Sequence, residues 1–505
     1  MGIKMDAQNK RKLILNTWLG IVGQLVTIMS GFIIPRLILS NYGSEVNGLV
    51  SSITQFLSFI SLMELGIGAV VQSTLYKPLS TNDNEEISKI VKSSQKFFNK
   101  IILVFIVYLF IITIIYPTIN RRFGWLYTIS LIIILAITLI LQYFFGMTYQ
   151  LLLFADQKSY VVQIISIGVL VLYTILNVIL IKNGASIHML KFLSMIVLII
   201  RPISINIYAK HNYSINKKII LEEEPIKQKW NGIAQHIAYF VVNNTDIVVL
   251  TIFSTLSNVS IYSIYNLVVI GVKQLICSSV SGIQSLFGNM LAKNENEILS
   301  KSFLYFEWGM HTIVTLIFSV TAILIVPFVK VYTNGVTDVN YIQPIFGVLL
   351  TFSAAAYCIR IPYNTMVLAA GHYKETQSSA IIEMCINIII SIALVLKLGL
   401  VGVVIGTLIA MIYRTTYLAR YISNNIIEYK FNSFIKNIVI DLLTVIIIFL
   451  VFSKVKLVSI NYISCFYLAI KVFLGSITIA IVINFIFYKK YMFNIITILK
   501  KRFIN

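Results

Sequence analysis

"FIIPRLILSNYGSEVNGLVSSI", residues 32–53, places a proline and an arginine inside an apolar run, breaks for a few polar residues, and turns apolar again. It reads as the end of one membrane-spanning helix, a tight turn and the start of the next. Pro35 loosens the last turn of the first helix, and Gly43 and Gly48 let the backbone reverse into the second. Arg36 then lies three residues from the outer end of the first helix, a charge held near the external surface.

The rest of the chain agrees with a membrane protein. Of 505 residues, 58% are hydrophobic and 12% charged, with a mean hydropathy of +0.88, so too few charges exist to cover a water-facing surface. Segments such as "IILVFIVYLFIITIIYP" (101–117) and "ISLIIILAITLILQYFF" (129–145) can, with their flanks, cross ~30 Å of hydrocarbon as helices. The first apolar segment, from about Leu13, has no small-residue cleavage site and is expected to be a retained helix. The four cysteines lie far apart without C-x-x-C spacing, the pattern of small membrane hydrophobes.

Apolar windows predict an all-α polytopic protein with fourteen spans, at about 13–39, 46–76, 98–118, 126–154, 160–181, 187–208, 230–253, 261–291, 304–329, 343–369, 377–396, 400–420, 435–452 and 463–488. With the amino terminus inside, cytoplasmic segments hold 26 Lys and Arg and external loops hold 7. That asymmetry puts both termini in the cytoplasm, and it explains the net charge of +21 as an orientation signal facing anionic lipid rather than a nucleic-acid surface.

The chain also resembles itself at a separation of roughly 212 residues. "LSNYGSEV" (39–46) answers "IFSTLSNV" (252–259), "NEEISKIV" (84–91) answers "NENEILSK" (294–301), "LLLFADQKSY" (151–160) answers "MVLAAGHYKE" (366–375), and "LIIRPIS" (198–204) answers "MIYRTTY" (411–417). Two parallel six-helix repeats, related by a pseudo-two-fold axis along the membrane normal, are the expectation. The predicted organisation is an N-lobe at 1–210, a cytoplasmic linker at 211–229, a C-lobe at 230–425, and a segment 426–505 carrying spans 13 and 14 and a basic tail.

No catalytic or nucleotide-binding motif is present, and no external loop is large enough for a glycosyl-transfer site, so the chain is not expected to be an enzyme. Seven basic residues fall inside spans, and such charges face a cavity, a partner or an interface. Arg201, Arg360 and Arg414 lie at a common depth of roughly 20–25 Å from the outside, and with Arg36 they are candidates for binding an anionic head group through arginine's bidentate geometry. Glu64, Asp246, Lys273, Glu307 and His311 are the candidate coupling or gating residues. Asp246 and Lys273 lie within reach of each other across spans 7 and 8, as an ion pair or as separate functional groups.

The stretch "IIPRLILSNYGSEVNGLVSSITQFLSFISLMELGIGAVVQSTLYKPLS" (33–80) resembles the amino-terminal signature of Wzx-type polysaccharide flippases, in the multidrug/oligosaccharidyl-lipid/polysaccharide exporter (MOP, or MATE/MOP) superfamily. "NNTDIVVLTIFSTLSNVSIYSIYNLV" (243–268) is similar to the start of their second half. The resemblance implies transfer of an undecaprenyl-diphosphate-linked oligosaccharide from the inner to the outer leaflet of a bacterial cell membrane for capsule, O-antigen or another surface polysaccharide. It implies alternating access of two lobes around a cationic cavity, with Arg36, Arg201, Arg360 and Arg414 for the diphosphate. No cofactor is implied beyond coupling to H+ or Na+, and membrane lipids, a polysaccharide polymerase and glycosyltransferases are the candidate partners. A cation-coupled drug or metabolite exporter of the same superfamily is the alternative, and a polytopic glycosyltransferase or polymerase a more distant one.

Overall fold

The structure is a computed structural model that describes residues 7–64, 67–216, 219, 233–280, 282–452, 454–494 and 497. Among them every regular element is helical. The first half comprises α1 (Ala7–Leu57), α2 (Ile60–Met63), α3 (Ile67–Thr81), α4 (Asn84–Ile119), α5 (Trp125–Leu141), α6 (Met147–Ala155), α7 (Ser159–Lys182) and α8 (Ile187–Asn212). The second comprises α9 (Ile233–Phe253), α10 (Leu256–Ser279), α11 (Ile283–Ala292), α12 (Asn296–Tyr332), α13 (Pro344–Ile359), α14 (Ile361–Ala369), α15 (Gln377–Leu398), α16 (Leu400–Asn425), α17 (Phe431–Phe452) and α18 (Tyr462–Phe487).

Among the described residues, thirteen segments are long and apolar enough to cross a bilayer. The first, Ile14–Met63, has 50 residues, about 75 Å of helix and more than twice the ~30 Å of hydrocarbon. It contains two spans, because Gly43 leaves the helical region at φ 82° and ψ 172°, a backbone rarely open to residues with a Cβ. Fourteen crossings result, with the first turn at Gly43 as the 32–53 stretch predicts. Gly48 and Pro35, by contrast, both lie inside helix. Arg36 is therefore roughly 10 Å before the turn rather than in the final one. Large apolar side chains such as Leu103, Phe110, Leu126 and Leu450 are strongly exposed, as expected where the surrounding medium is lipid. The protein is a multi-pass membrane protein.

Four spans expected to be continuous are broken. The second is interrupted after Leu57 and again near Glu64, and the fourth opens into a π-helical turn at Gln142–Gly146. The eighth breaks between α10 and α11, and the tenth between α13 and α14, where Pro362 cannot donate to the carbonyl four residues back. Such breaks leave backbone groups and side chains free to serve a cavity.

The chain divides into two compact units, residues 1–237 and 238–505. The predicted linker at 211–229 lies outside the described residues at 217, 218 and 220–229, as do the chain ends at 1–6 and 498–505. In unit 1, α7 packs on α1 and α8, and α8 on α5. In unit 2 the tightest pair is α15 and α16. A Cβ at Gly402 would stand 2.4 Å from the Leu394 carbonyl oxygen, and one at Gly406 would stand 2.3 Å from Ser391 Oγ, so only glycine permits the approach. α17 and α18 pack against α12 through Val320, Ile448, Phe452, Leu468 and Val472. The repeat seen in the sequence is visible in the backbone: Asn82 and Asn294 share a left-handed conformation (φ 55° and 58°), as do Gln157 and Gly371 (φ 56° and 76°).

Candidate functional site

α9, α10, α13 and α16 surround a pocket of ≈ 460 Å³ in unit 2. Among its lining residues are Asn243, Asp246, Tyr262, Lys273, Tyr357 and Thr407. Asp246 is buried. The Tyr262 hydroxyl donates to its Oδ2 at 2.8 Å, and Thr407 Oγ1 donates to its Oδ1 at 2.8 Å. Asn387 Nδ2 donates in turn to Thr407 Oγ1 at 2.9 Å. Lys273 Nζ donates to Asn243 Oδ1 at 2.9 Å and sits 3.7 Å over the Tyr357 ring. Asp246 and Lys273 thus face one pocket with different immediate partners, since hydroxyl groups already satisfy the carboxylate. An acid held by neutral donors in a polar pocket can accept a cation or a proton at little further desolvation cost.

Behind the Tyr357 ring lies a buried ion cluster. Arg360, at the junction of α13 and α14, pairs with Glu383 Oε1 at 2.5 Å and lies 4.7 Å over Tyr357. Arg414 Nη1 donates to the Thr376 carbonyl at 2.7 Å and to Ser379 Oγ, and its Nε is 3.8 Å from Glu383 Oε2. Two arginines therefore share one carboxylate. The sequence reading treats Arg360 as a charge awaiting a ligand; the structure gives it a partner on α15. Glu383, not among the acids singled out from the sequence, lies inside the eleventh predicted span, and a count of every acid within a span finds it. Asp441 on α17 is a second such acid.

No family model matches the sequence, and no curated protein does. Solved structures do. The lipid II flippase MurJ, in an inward closed conformation, matches with a TM-score of 0.65 at 19% identity, over 95% of this chain and 100% of its own. The MurJ and MATE fold is the fold of this chain. An inward-facing MATE family multidrug resistance transporter of the MOP superfamily matches with a TM-score of 0.55 at 16% identity, over 81% of this chain and 98% of that one. A eukaryotic MATE transporter matches with a TM-score of 0.55 at 11% identity, over 82% and 95%.

Within this MurJ-like fold the remaining candidates fall into separate groups. Arg201, on α8, donates from Nε to Ser166 Oγ at 2.8 Å and from Nη2 to Gln150 Oε1 at 2.9 Å, both neutral partners. Glu64 accepts a hydrogen bond from the Tyr143 hydroxyl, which joins the break in the second span to the π-helical turn in the fourth. Arg36 lies on α1, partly buried. Glu307 and His311 are buried on α12. Glu307 Oε1 accepts from Tyr363 OH at 2.6 Å and from Tyr429 OH. His311 Nδ1 lies 2.5 Å from Asp441 Oδ2, and its Nε2 lies 3.0 Å from Tyr363 OH. The structure thus brings Arg360 and Arg414 together, and Glu307 and His311 together, while Arg36, Glu64 and Arg201 belong to unit 1. Among the described residues, no three His, Cys, Asp or Glu side chains are grouped to hold a metal ion.

Proposed function

We propose that this protein is a flippase that carries an undecaprenyl-diphosphate-linked oligosaccharide from the cytoplasmic to the outer leaflet of a bacterial cell membrane, for a capsular or other surface polysaccharide. The observation that carries the reading is the extent of the likeness: MurJ, named as a flippase of a lipid, accounts for 95% of the chain, whereas the MATE transporters account for 81–82%. A lipid-linked anion also fits a chain whose interior holds arginines in both units. Arg36 and Arg201 offer cations in unit 1, and Lys273 offers one at the pocket of unit 2. Arg360 and Arg414 reach a diphosphate by exchanging the Glu383 carboxylate for phosphate oxygens, which present the same bidentate geometry. Asp246 is the candidate for coupling to H+ or Na+, and both termini lie in the cytoplasm in this reading.

The second reading, a cation-coupled drug or metabolite exporter, is favoured by one feature, the carboxylate in the polar pocket. Purified protein in proteoliposomes separates the two. Fluorescent undecaprenyl-diphosphate oligosaccharide is expected to become accessible to an externally added quencher at least tenfold faster than in empty vesicles. Export of a cationic dye with no movement of the lipid gives the protein to the second reading.

A further inference from the structure

The cluster around His311 contains one hydrogen bond more than its own protons can make. Glu307 Oε1, Tyr363 OH, the two ring nitrogens of His311 and Asp441 Oδ2 form a line of three bonds, at 2.6, 3.0 and 2.5 Å. Each bond needs a proton between its heavy atoms. Tyr363 brings one and a neutral imidazole brings one, whichever tautomer it adopts, so with both carboxylates ionised one bond is left with two facing lone pairs. Lone pairs facing each other at 2.5–3.0 Å repel, whichever of the three contacts is left without its proton. A third proton has to be bound from outside.

The surroundings say where it sits. Glu307 also accepts from Tyr429 OH, and Asn437, whose Oδ1 accepts from Tyr488 OH at 2.5 Å, turns toward it as a further donor. Its needs as a carboxylate are met. Asp441 has no such set of donors, so the added proton belongs to the His311 and Asp441 pair. The other groups packed on the imidazole, Tyr363 from α14 and the Phe434 ring from α17, bring no charge. Lys436 of α17 stands 5.4 Å over the Tyr488 ring. His311 is buried, whereas Asp441 is partly exposed at a largely apolar groove between α12, α13, α16 and α17, so Asp441 is the member of the pair that can be reached from outside. Two other buried acids of unit 2 are supplied differently: Asp246 accepts from two hydroxyls and Glu383 faces two arginines.

We propose that His311 and Asp441 form an exchangeable proton-binding site, entered through Asp441, whose occupancy clasps α17 to α12 and whose release loosens that contact. The proposal rests on the transporter reading and supplies it with proton coupling at a place other than Asp246. On release the cluster goes from one net negative charge to two, and one of its three hydrogen bonds, shared between α12, α14 and α17, loses its proton.

Two measurements on the full-length protein test it. In nanodiscs without substrate, the unfolding temperature is followed from pH 5 to 9 for wild type, His311→Gln, and the double change His311→Gln with Asp441→Asn, in which amides complete the bond without an added proton. The expected result is a titration step in the wild type, worth a tenfold change in the folding equilibrium per pH unit, that is missing from both variants. Retention of that step in either variant overturns the site. In proteoliposomes, an imposed pH gradient is expected to speed flipping of the labelled lipid at least threefold in wild type and to leave Asp441→Asn unchanged. Equal acceleration of both overturns the coupling. If wild type moves no lipid, the substrate reading fails, while the titration still decides the proton site.

Discussion

The two halves of the chain make the same hydrogen bonds and put different charges beside them. Asn177 Nδ2 donates to Ser194 Oγ at 2.9 Å in unit 1, and Asn387 Nδ2 donates to Thr407 Oγ1 at 2.9 Å in unit 2, positions 210 and 213 residues apart. Arg201 bonds Ser166, and Arg414 bonds Ser379, each pair offset by 213 residues. In unit 2, however, the Thr407 hydroxyl donates a hydrogen bond to Asp246, and Arg414 approaches Glu383. The residues 213 positions before those two acids are Ile33 and Leu170. Neutral bonds between helices are inexpensive in a bilayer and survive in both copies, whereas a buried carboxylate is costly and persists only where something requires it. The duplicated bonds have neutral acceptors, and the acids that adjoin them are found in unit 2 alone at the two positions compared.

Removal of Glu383 should break this comparison most severely. Glu383→Ala leaves Arg360 and Arg414 buried without their shared carboxylate, at a cost of about 3–5 kcal/mol, seen as a lower unfolding temperature and a lower yield of folded protein. The comparable change in unit 1, Gln150→Ala, removes one neutral acceptor from Arg201, the arginine that answers Arg414, and costs about 1.5–3 kcal/mol. Adding Arg360→Gln to Glu383→Ala should recover much of the loss. Wild-type stability in Glu383→Ala would mean that the charge difference between the units has no structural weight.

A smaller effect separates scaffold from function within the duplicated pair. Asn177→Ala and Asn387→Ala each remove one neutral hydrogen bond and should lower stability by a similar amount, about 0.5–1.5 kcal/mol. Transport should diverge. Asn387 holds Thr407 against Asp246, so Asn387→Ala should slow flipping in proteoliposomes by up to about tenfold, the equivalent of ~1.4 kcal/mol, while Asn177→Ala leaves the rate near wild type. Equal losses in the two variants would make Asp246 part of the scaffold as well.

What could be read beforehand follows the same division. The fold was legible because spans are long apolar runs, and because Gly43 and the repeated motifs stand out locally. The π-helical turn at 142–146 and the break between α10 and α11 were not, since a π-helical turn inside "LQYFFG" has no composition of its own. Asp246, Lys273, Glu307 and His311 were legible as charged or titratable groups in apolar surroundings. Their partners were not, because Glu307 finds Tyr429 across 122 residues and His311 finds Asp441 across 130, separations that a pattern within one helix does not encode. Arg360 illustrates the cost: read alone it is a ligand for phosphate, and read with Glu383 it is half of an ion pair.

The mildest test lies in the loops that follow the fourth and tenth spans. In unit 1, Asp156 is held by Lys158 at 2.7 Å, by Lys12 at 3.6 Å and by the Tyr213 hydroxyl at the end of α8. In unit 2 a tyrosine near the end of α16, Tyr421, bonds the neutral-partnered His372 Nδ1 at 3.0 Å in the loop that follows the tenth span. Burial alone would raise the Asp156 carboxyl, but the hydrogen bonds from Lys158 and Tyr213 and the charges of Lys158 and Lys12 hold it below its ordinary value. A carboxyl depressed in the folded state stabilises the protein above its unfolded value of ~3.9, and that contribution fades as pH falls through the native value. Since the pair is partly exposed, the effect should be below about 1 kcal/mol. Asp156→Asn should therefore unfold slightly earlier than wild type between pH 5 and 7, with the gap closing under about pH 4. If the Asp156→Asn gap persists at pH 3, the loop of unit 1 is held by neutral hydrogen bonds like its partner in unit 2, and the contrast between the units narrows to the acids buried in their spans.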